Sequence, residues 1–314
     1  MVPATDVMEF TKTLAVPPGR HVLRFRSDAQ PYRVKYFPRP LFFRVRNFAL
    51  MNYAAAAVGF AMLGLFLTLV IYLQSVLGLD ALHAGLTIAP MSATSMLVAP
   101  VAGRVADRIG GKYVLVAGLS LYTIGTALVV RACTVTASRW DLLPGLVVAG
   151  VGLGSTFAPM TAVAMHDIGR EMSGAASGVF ATTRQLGSLL GAAAVGALLQ
   201  NRLADKLAAA ARTEAAGLDA AQRPGFVGGF ARAGSHLRVG AGQSGTDLPA
   251  GTAPAVRDAA VRAFHDAYVN AMRPTLLLPI AVVATAALCC LAARRAAIRT
   301  PIPRAMRIAS HVRH

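Results

Sequence analysis

The chain has 314 residues, of which 55% are hydrophobic and only 14% charged, and its net charge at neutral pH is +17. Soluble proteins of this length carry about a quarter charged residues, so the composition excludes an ordinary soluble domain and points to an integral membrane protein. The basic residues flank apolar runs or lie in the tails and one long connection, a pattern that sets membrane orientation rather than a nucleic-acid-binding face, and no nucleic-acid partner is expected.

Residues 1–40 contain no apolar signal-peptide core and are proline-punctuated and basic, which predicts a poorly ordered cytoplasmic lead-in. Six apolar segments within 41–293 then reach the ~20 residues that a helix needs to cross ~30 Å of hydrocarbon. They fall at about 48–77, 81–102, 113–130, 142–165, 172–201 and 274–293. The prolines and glycines inside them are tolerated in membrane helices.

Residues 202–273 form a long external loop in this reading. Its Ala/Gly/Ser-rich first part is expected to be flexible, and an amphipathic helix is expected near 254–272. On that helix Asp258, Arg262 and Asp266 are spaced four apart and are expected to pair on the wet side. Residues 294–314 form a basic cytoplasmic tail. An even number of spans puts both termini on one side, and the basic flanks put that side in the cytoplasm of a cell with this chain in its plasma membrane. The expected fold is an all-α integral membrane protein, a six-helix transmembrane bundle.

Between the second and third spans stands GRVADRIGGK, with Arg104, Asp107, Arg108 and Lys112. A charge at mid-membrane costs ~2.5–3.5 kcal/mol, so four together belong in water, and Gly103, Gly110 and Gly111 suit a turn there. A phosphate-binding loop fails, because Ala106 stands where its first glycine belongs and Tyr113 where its hydroxyl belongs.

Arg184 is the single formal charge inside any span. At 100° per residue it shares a stripe with Ser173, Ser177, Ser188 and Gly191, which predicts either a transport path or an arginine bonded to carbonyls at a helix break. Gln74 is the other polar group placed to face a substrate, whereas Asn52, Tyr53 and Tyr72 sit in the same span and tyrosines near span ends are usually anchors. Gly150 and Gly154, Gly174 and Gly178, and Gly187 and Gly191 are each four apart and predict close helix packing. His166 and Asp167 are expected in a short inner loop. The three cysteines have no metal spacing, and no hydrolase or cofactor motif occurs, so neither an enzyme nor a cofactor or metal is expected.

The decapeptide resembles the G-x-x-x-D-R-x-G-R-R loop of the major facilitator superfamily, with Gly111 in place of the first arginine. Tyr72, Leu73, Gln74, Gly78, Ala84, Gly85, Pro90, Pro100 and Gly103 are similar to landmarks in the carboxyl half of its fourteen-span drug:proton antiporters, the EmrB/QacA-type group. Gly178, Arg184, Gln185, Gly187 and Gly191 resemble that group's penultimate helix. The resemblance covers about residues 40–295 and implies one half of the fold, with an inner-face latch at Gly103, Arg104, Asp107, Arg108, Gly110, Gly111 and Lys112. It implies proton-driven export of small amphipathic or cationic drug-like molecules along a path near Arg184, Gln74, Ser177 and Ser188.

The resemblance extends to the later half alone, so the earlier half, with its signature Gly-Pro helix, is expected to be missing from this chain. No Asp or Glu lies within the six spans. The chain is therefore expected to need a separate amino-terminal half or self-association. The alternative is a non-transporting membrane interaction protein or an inactive remnant.

Overall fold

The computed structural model describes residues 11–15, 20–24, 45–166, 168, 172–220, 222–236 and 253–291. The chain divides into two units, Met1–Leu41 and Phe42–His314. The first contains an antiparallel hairpin, β1 (Thr11–Ala15) and β2 (Arg20–Arg24), in the register Thr11↔Arg24 to Ala15↔Arg20. The lead-in reading did not foresee it. Pro17, Pro18 and Gly19, taken there as breakers, are equally a turn signal between two short runs.

Among its described residues the regular structure of the second unit is all helical. α1 (Arg46–Ile71) passes directly into a π-helical segment, Tyr72–Val76. α2 (Ala81–Ile109) and α3 (Gly111–Ala132) follow, then a 3₁₀ turn, Arg139–Leu142, closed by a capping box between Ser138 and Asp141. α4 (Leu143–Gly154) and α5 (Phe157–Met165) form the fourth traverse, α6 (Ser173–Ala215) the fifth, and α8 (Pro254–Leu291) the last, with α7 (Arg223–His236) between them.

Among the described residues five traverses are long and apolar enough to cross a membrane: α1 with its π segment, α2, α3, Arg139–Met165, and α8. α6 has the length without the apolar content, because Arg184 and a run of small and hydroxylated residues dilute it.

The pairing of helices follows a rule. α1 packs on α6 and α8, the α4–α5 pair packs on α2 and α3, α6 packs on α8 and α2 on α3, while α3 meets α8 and α1 meets α5. Exchanging the first three traverses for the last three maps this list onto itself, as expected of two repeats. Close approach comes from glycine, which matters in lipid because the solvent supplies no hydrophobic drive between helices. A Cβ on Gly187 would strike the backbone of Ala56, one on Gly191 that of Phe60, one on Gly150 that of Met91, and one on Gly154 would lie 2.5 Å from the Ser95 carbonyl. Among the described residues nothing lies within 4 Å of such an atom on Gly174 or Gly178.

Several boundaries differ from the sequence-based expectation. α2 runs on to Ile109, so the turn shrinks to Gly110, whose φ of +96° is a conformation only glycine adopts without strain. The fourth traverse breaks at Ser155–Thr156.

α6 continues to Ala215 where a flexible loop was expected, because Leu203, Leu207, Ala211 and Ala215 repeat every four residues and all are buried. The amphipathic helix and the sixth span are one helix, α8, with Pro274 and Pro279 inside it. The end of α6, α7 and the start of α8 enclose a small core of Ala211, Ala215, Leu218, Phe226, Ala259 and Ala260. There Arg262 pairs with Glu214 across helices at 2.9 Å; the expected partners on its own helix do not hold it. The basic tail 294–314, Asp167 and most of the lead-in lie outside the described residues.

Candidate functional site

Arg184 stands where three elements meet. Its turn of α6 is pressed on α1: a Cβ on Gly59 would lie 2.5 Å from the Arg184 carbonyl and 2.7 Å from Ser188 Oγ. Ser188 Oγ donates to that same carbonyl at 3.2 Å. The guanidinium reaches away from the seam and lies 5.6 Å above the Phe157 ring, at the first residue after the break in the fourth traverse. The side chain is exposed, and the cation–π contact holds it over the broken helix.

The break itself is stabilised locally, with Thr156 Oγ1 donating to the Gly152 carbonyl at 2.7 Å. Thr156 Oγ1 also lies 2.9 Å from the position a Cβ on Gly118 would take, which ties the break to α3.

The other expected path residues separate. Ser188 shares the seam with Arg184. Ser177, two turns earlier, is exposed and faces Met165 Sδ at 4.0 Å. Gln74 is half-buried in the π segment. It lies fifteen residues along α1 from Gly59, about 22 Å at helical rise. Asn52, buried on the same helix, donates from Nδ2 to the Phe48 carbonyl at 2.8 Å and leaves Oδ1 without a partner among the described residues.

Around the π segment the structure assembles a polar knot that the sequence reading missed. Tyr72 Oη donates to the Thr134 carbonyl at 2.6 Å, Tyr268 Oη to the Thr68 carbonyl at 2.9 Å, and Arg273 Nε to the Cys133 carbonyl at 3.2 Å. These bonds join the end of α1, the end of α3 and the middle of α8. A π segment shifts the backbone pairing and is common at functional sites. Tyrosines at span ends read as anchors, and Arg273 reads as a loop charge. Their spacing carries no hint that they converge.

At the opposite end, Arg104, Asp107 and Arg108 ride exposed on the last turns of α2. Among the described residues none of their side chains takes a hydrogen bond or ion pair. Gly103 lies inside α2 rather than in the turn, and among the described residues nothing comes within 4 Å of a Cβ placed on it. Gly111 does pack: a Cβ there would be 3.1 Å from Val163 Cγ2 and 3.5 Å from Pro159, so α5 holds the turn from behind. Lys112 is half-buried beside it.

The sequence profile of the Major Facilitator Superfamily matches residues 13–192. An uncharacterized MFS-type transporter of Mycobacterium tuberculosis, Rv1250, is 33% identical over 189 residues, covering 59% of this chain and 33% of that protein. Multidrug resistance protein Stp of the same species is 32% identical over 157 residues, covering 50% and 29%. A probable actinorhodin transporter of Streptomyces coelicolor is 29% identical over 244 residues, covering 70% and 42%. The chain thus matches roughly a third of the length of these relatives, the fractions being 33%, 29% and 42%. With the profile matching more than half of a chain whose helical unit carries Gly103–Lys112, this chain belongs to the Major Facilitator Superfamily.

Proposed function

We propose that this chain forms the carboxyl-terminal half of a proton-coupled efflux transporter of the fourteen-span type, exporting small amphipathic or cationic organic molecules across the plasma membrane. The observation that carries the reading is the state of α2. Five of its 29 residues are buried, against 15 of 26 in α1, yet α2 is the least apolar of the five membrane-competent traverses. A helix that is both the most exposed and the least greasy is poorly suited to face lipid alone. Its exposed Gly85, Ala89 and Ala93 are spaced four apart and suit close contact with another helix. Gly174 and Gly178 on α6 offer a second such surface. The half-buried Gly103 and the exposed Arg104, Asp107 and Arg108 of the proposed latch continue the α2 face.

The family rocks one half against the other around a midplane site. In this chain Arg184, over the broken fourth traverse, lines the path with Ser188, Ser177 and Gln74, and both termini are cytoplasmic. The expected spans contain no carboxylate, so the proton-carrying group comes from the partner half. Two relatives named for drug resistance and for actinorhodin transport support a drug-like organic substrate.

The test is efflux of a cationic dye from cells making this chain alone, or together with the amino-terminal portion of a full-length relative such as Rv1250. The chain alone is expected to be silent, with efflux restored by the second half and reduced about tenfold by Arg184→Gln. Efflux by the chain alone would mean self-association. Silence in both cells, with both chains in the membrane, would leave the non-transporting reading.

A further inference from the structure

A groove of 210 Å³ lies between the first turns of α2 and the 3₁₀ turn before α4, lined by Leu86, Thr87, Pro90, Arg139, Trp140 and Leu143. It lies at the end of the bundle opposite the latch, away from Arg184. Drug-sized ligands occupy roughly 300–1,000 Å³, so the groove is too small for a transported substrate.

Its chemistry is divided. Leu86, Pro90 and Leu143 make an apolar wall, which continues along α2 to Leu82; Leu86 is 59% and Leu82 67% exposed. At the rim the Arg139 guanidinium lies over the Trp140 ring, 4.9 Å from its centroid, while the indole is 62% exposed.

The nearby carboxylates are occupied elsewhere. Asp80 accepts from the His83 backbone and ring at 2.7 and 2.6 Å, and Asp141 accepts from the Ser138 N–H at 2.8 Å. Among the described residues Arg139 has no acidic partner, so its charge is left for a ligand. Acceptors are present beside it. Thr87, in the groove lining, spends its Oγ1 proton on the His83 carbonyl, so toward a ligand this oxygen acts as an acceptor. Pro90 lacks the N–H that would otherwise bond to the Leu86 carbonyl.

We propose that this groove binds one anionic phospholipid with a hydroxylated headgroup. The phosphate sits on Arg139, the headgroup hydroxyls donate to Thr87 Oγ1 and the Leu86 carbonyl, and an acyl chain runs along Pro90, Leu86 and Leu82. A free inorganic anion would leave the apolar wall wet, and a neutral lipid would leave Arg139 without a counter-charge. Trp140 stacks on the guanidinium and anchors the rim at headgroup depth.

Trp140 is the sole tryptophan of the chain, so its fluorescence reports on this groove alone. The full chain is reconstituted in vesicles containing brominated phosphatidylglycerol or brominated phosphatidylcholine, and quenching of Trp140 is measured against mole fraction. Phosphatidylglycerol is expected to reach half-maximal quenching at about fivefold lower mole fraction than phosphatidylcholine. The preference disappears in Arg139→Gln, persists in Arg139→Lys, and is unmoved by added inorganic phosphate. Equal quenching by the two lipids, or a preference that survives Arg139→Gln, overturns the proposal and leaves Trp140 an ordinary interfacial anchor. Loss of the preference on adding phosphate overturns it in favour of a free anion. Persistence in Arg139→Lys excludes misfolding as the cause of the loss.

Discussion

Single residues in this bundle divide by what a methyl group would meet. Gly187 and Gly174 look alike in sequence, each half of a pair four apart, yet a Cβ on Gly187 runs into the Ala56 backbone while one on Gly174 finds open space. Gly187→Ala is expected to lower stability in detergent by about 1–3 kcal/mol, because backbone cannot move aside as a side chain can. Gly174→Ala should change it by no more than ~1 kcal/mol, and in the stabilising direction. Thermal unfolding of the two variants side by side checks both. If Gly174 faces a partner half, Gly174→Leu additionally lowers restored dye efflux while leaving thermal stability unchanged.

Asp80, which caps α2, gives a pH signature. Its carboxyl is held below the ordinary value of 3.8, chiefly by the His83 backbone N–H and next by the His83 ring. A depressed carboxyl contributes stability that is complete above the ordinary value and lost as pH falls through the lower folded one. The gap in melting temperature between the native chain and Asp80→Ala should therefore stay constant from neutral pH down to 3.8 and close only below it.

At the scale of elements, α6 shows why a single traverse changes partners. Its buried residues from Gly187 to Ala215 recur every four positions. In a helix of 3.6 residues per turn each such step rotates by roughly 40°, so the stripe winds most of the way around the helix. Gly187 and Gly191 meet α1 at one end, whereas Ala211 and Ala215 join α7 and α8 at the other. At 43 residues α6 is ~64 Å long, about twice the hydrocarbon thickness, and its far end needs the cover that α7 supplies.

Arg223 closes that corner, donating to the Leu218 carbonyl at 2.9 Å and the Ala216 carbonyl at 3.1 Å. The exposed Arg262–Glu214 pair beside it should matter little: Arg262→Gln is expected to cost less than ~1 kcal/mol by thermal unfolding. The polar knot at the π segment behaves otherwise. Tyr268 is fully buried, and Tyr268→Phe strips the Thr68 carbonyl of its side-chain donor, an expected loss of about 1 kcal/mol. That loss should be accompanied by faster hydrogen exchange at Tyr72–Val76, the segment the bond pins.

The unit Phe42–His314 is two sets of three traverses that interlock rather than sit side by side, α1 with α6 and α2 with α4. The arrangement leaves most of α2 and one face of α6 uncovered among the described residues, and it sets the Gly103–Lys112 turn and the Arg139 groove at opposite ends. The proposed orientation puts the latch in the cytoplasm. A cysteine at Arg104 should then resist an impermeant thiol reagent in intact cells and react after permeabilisation, while one at Trp140 should react from outside. Labelling of Arg104→Cys from outside would reverse the orientation.

The amino-acid sequence by itself determined that the chain is a helical, multi-pass membrane protein, and it set the expectation that GRVADRIGGK lies in water. Those follow from transfer energies and charge, which depend on which residues are present and how densely they cluster. It also singled out Arg184, since one charge in an apolar run is conspicuous whatever the packing. Only the tertiary structure decided that two of the three glycine pairs are contacts and the third is not, where Arg262 finds its carboxylate, and that Tyr72, Tyr268 and Arg273 converge on carbonyls freed or offered by neighbouring helix ends. Gln74 and Arg184 parted for the same reason. Such placements depend on the rotation and depth of each helix against its neighbours, which a periodic pattern read along one helix does not contain.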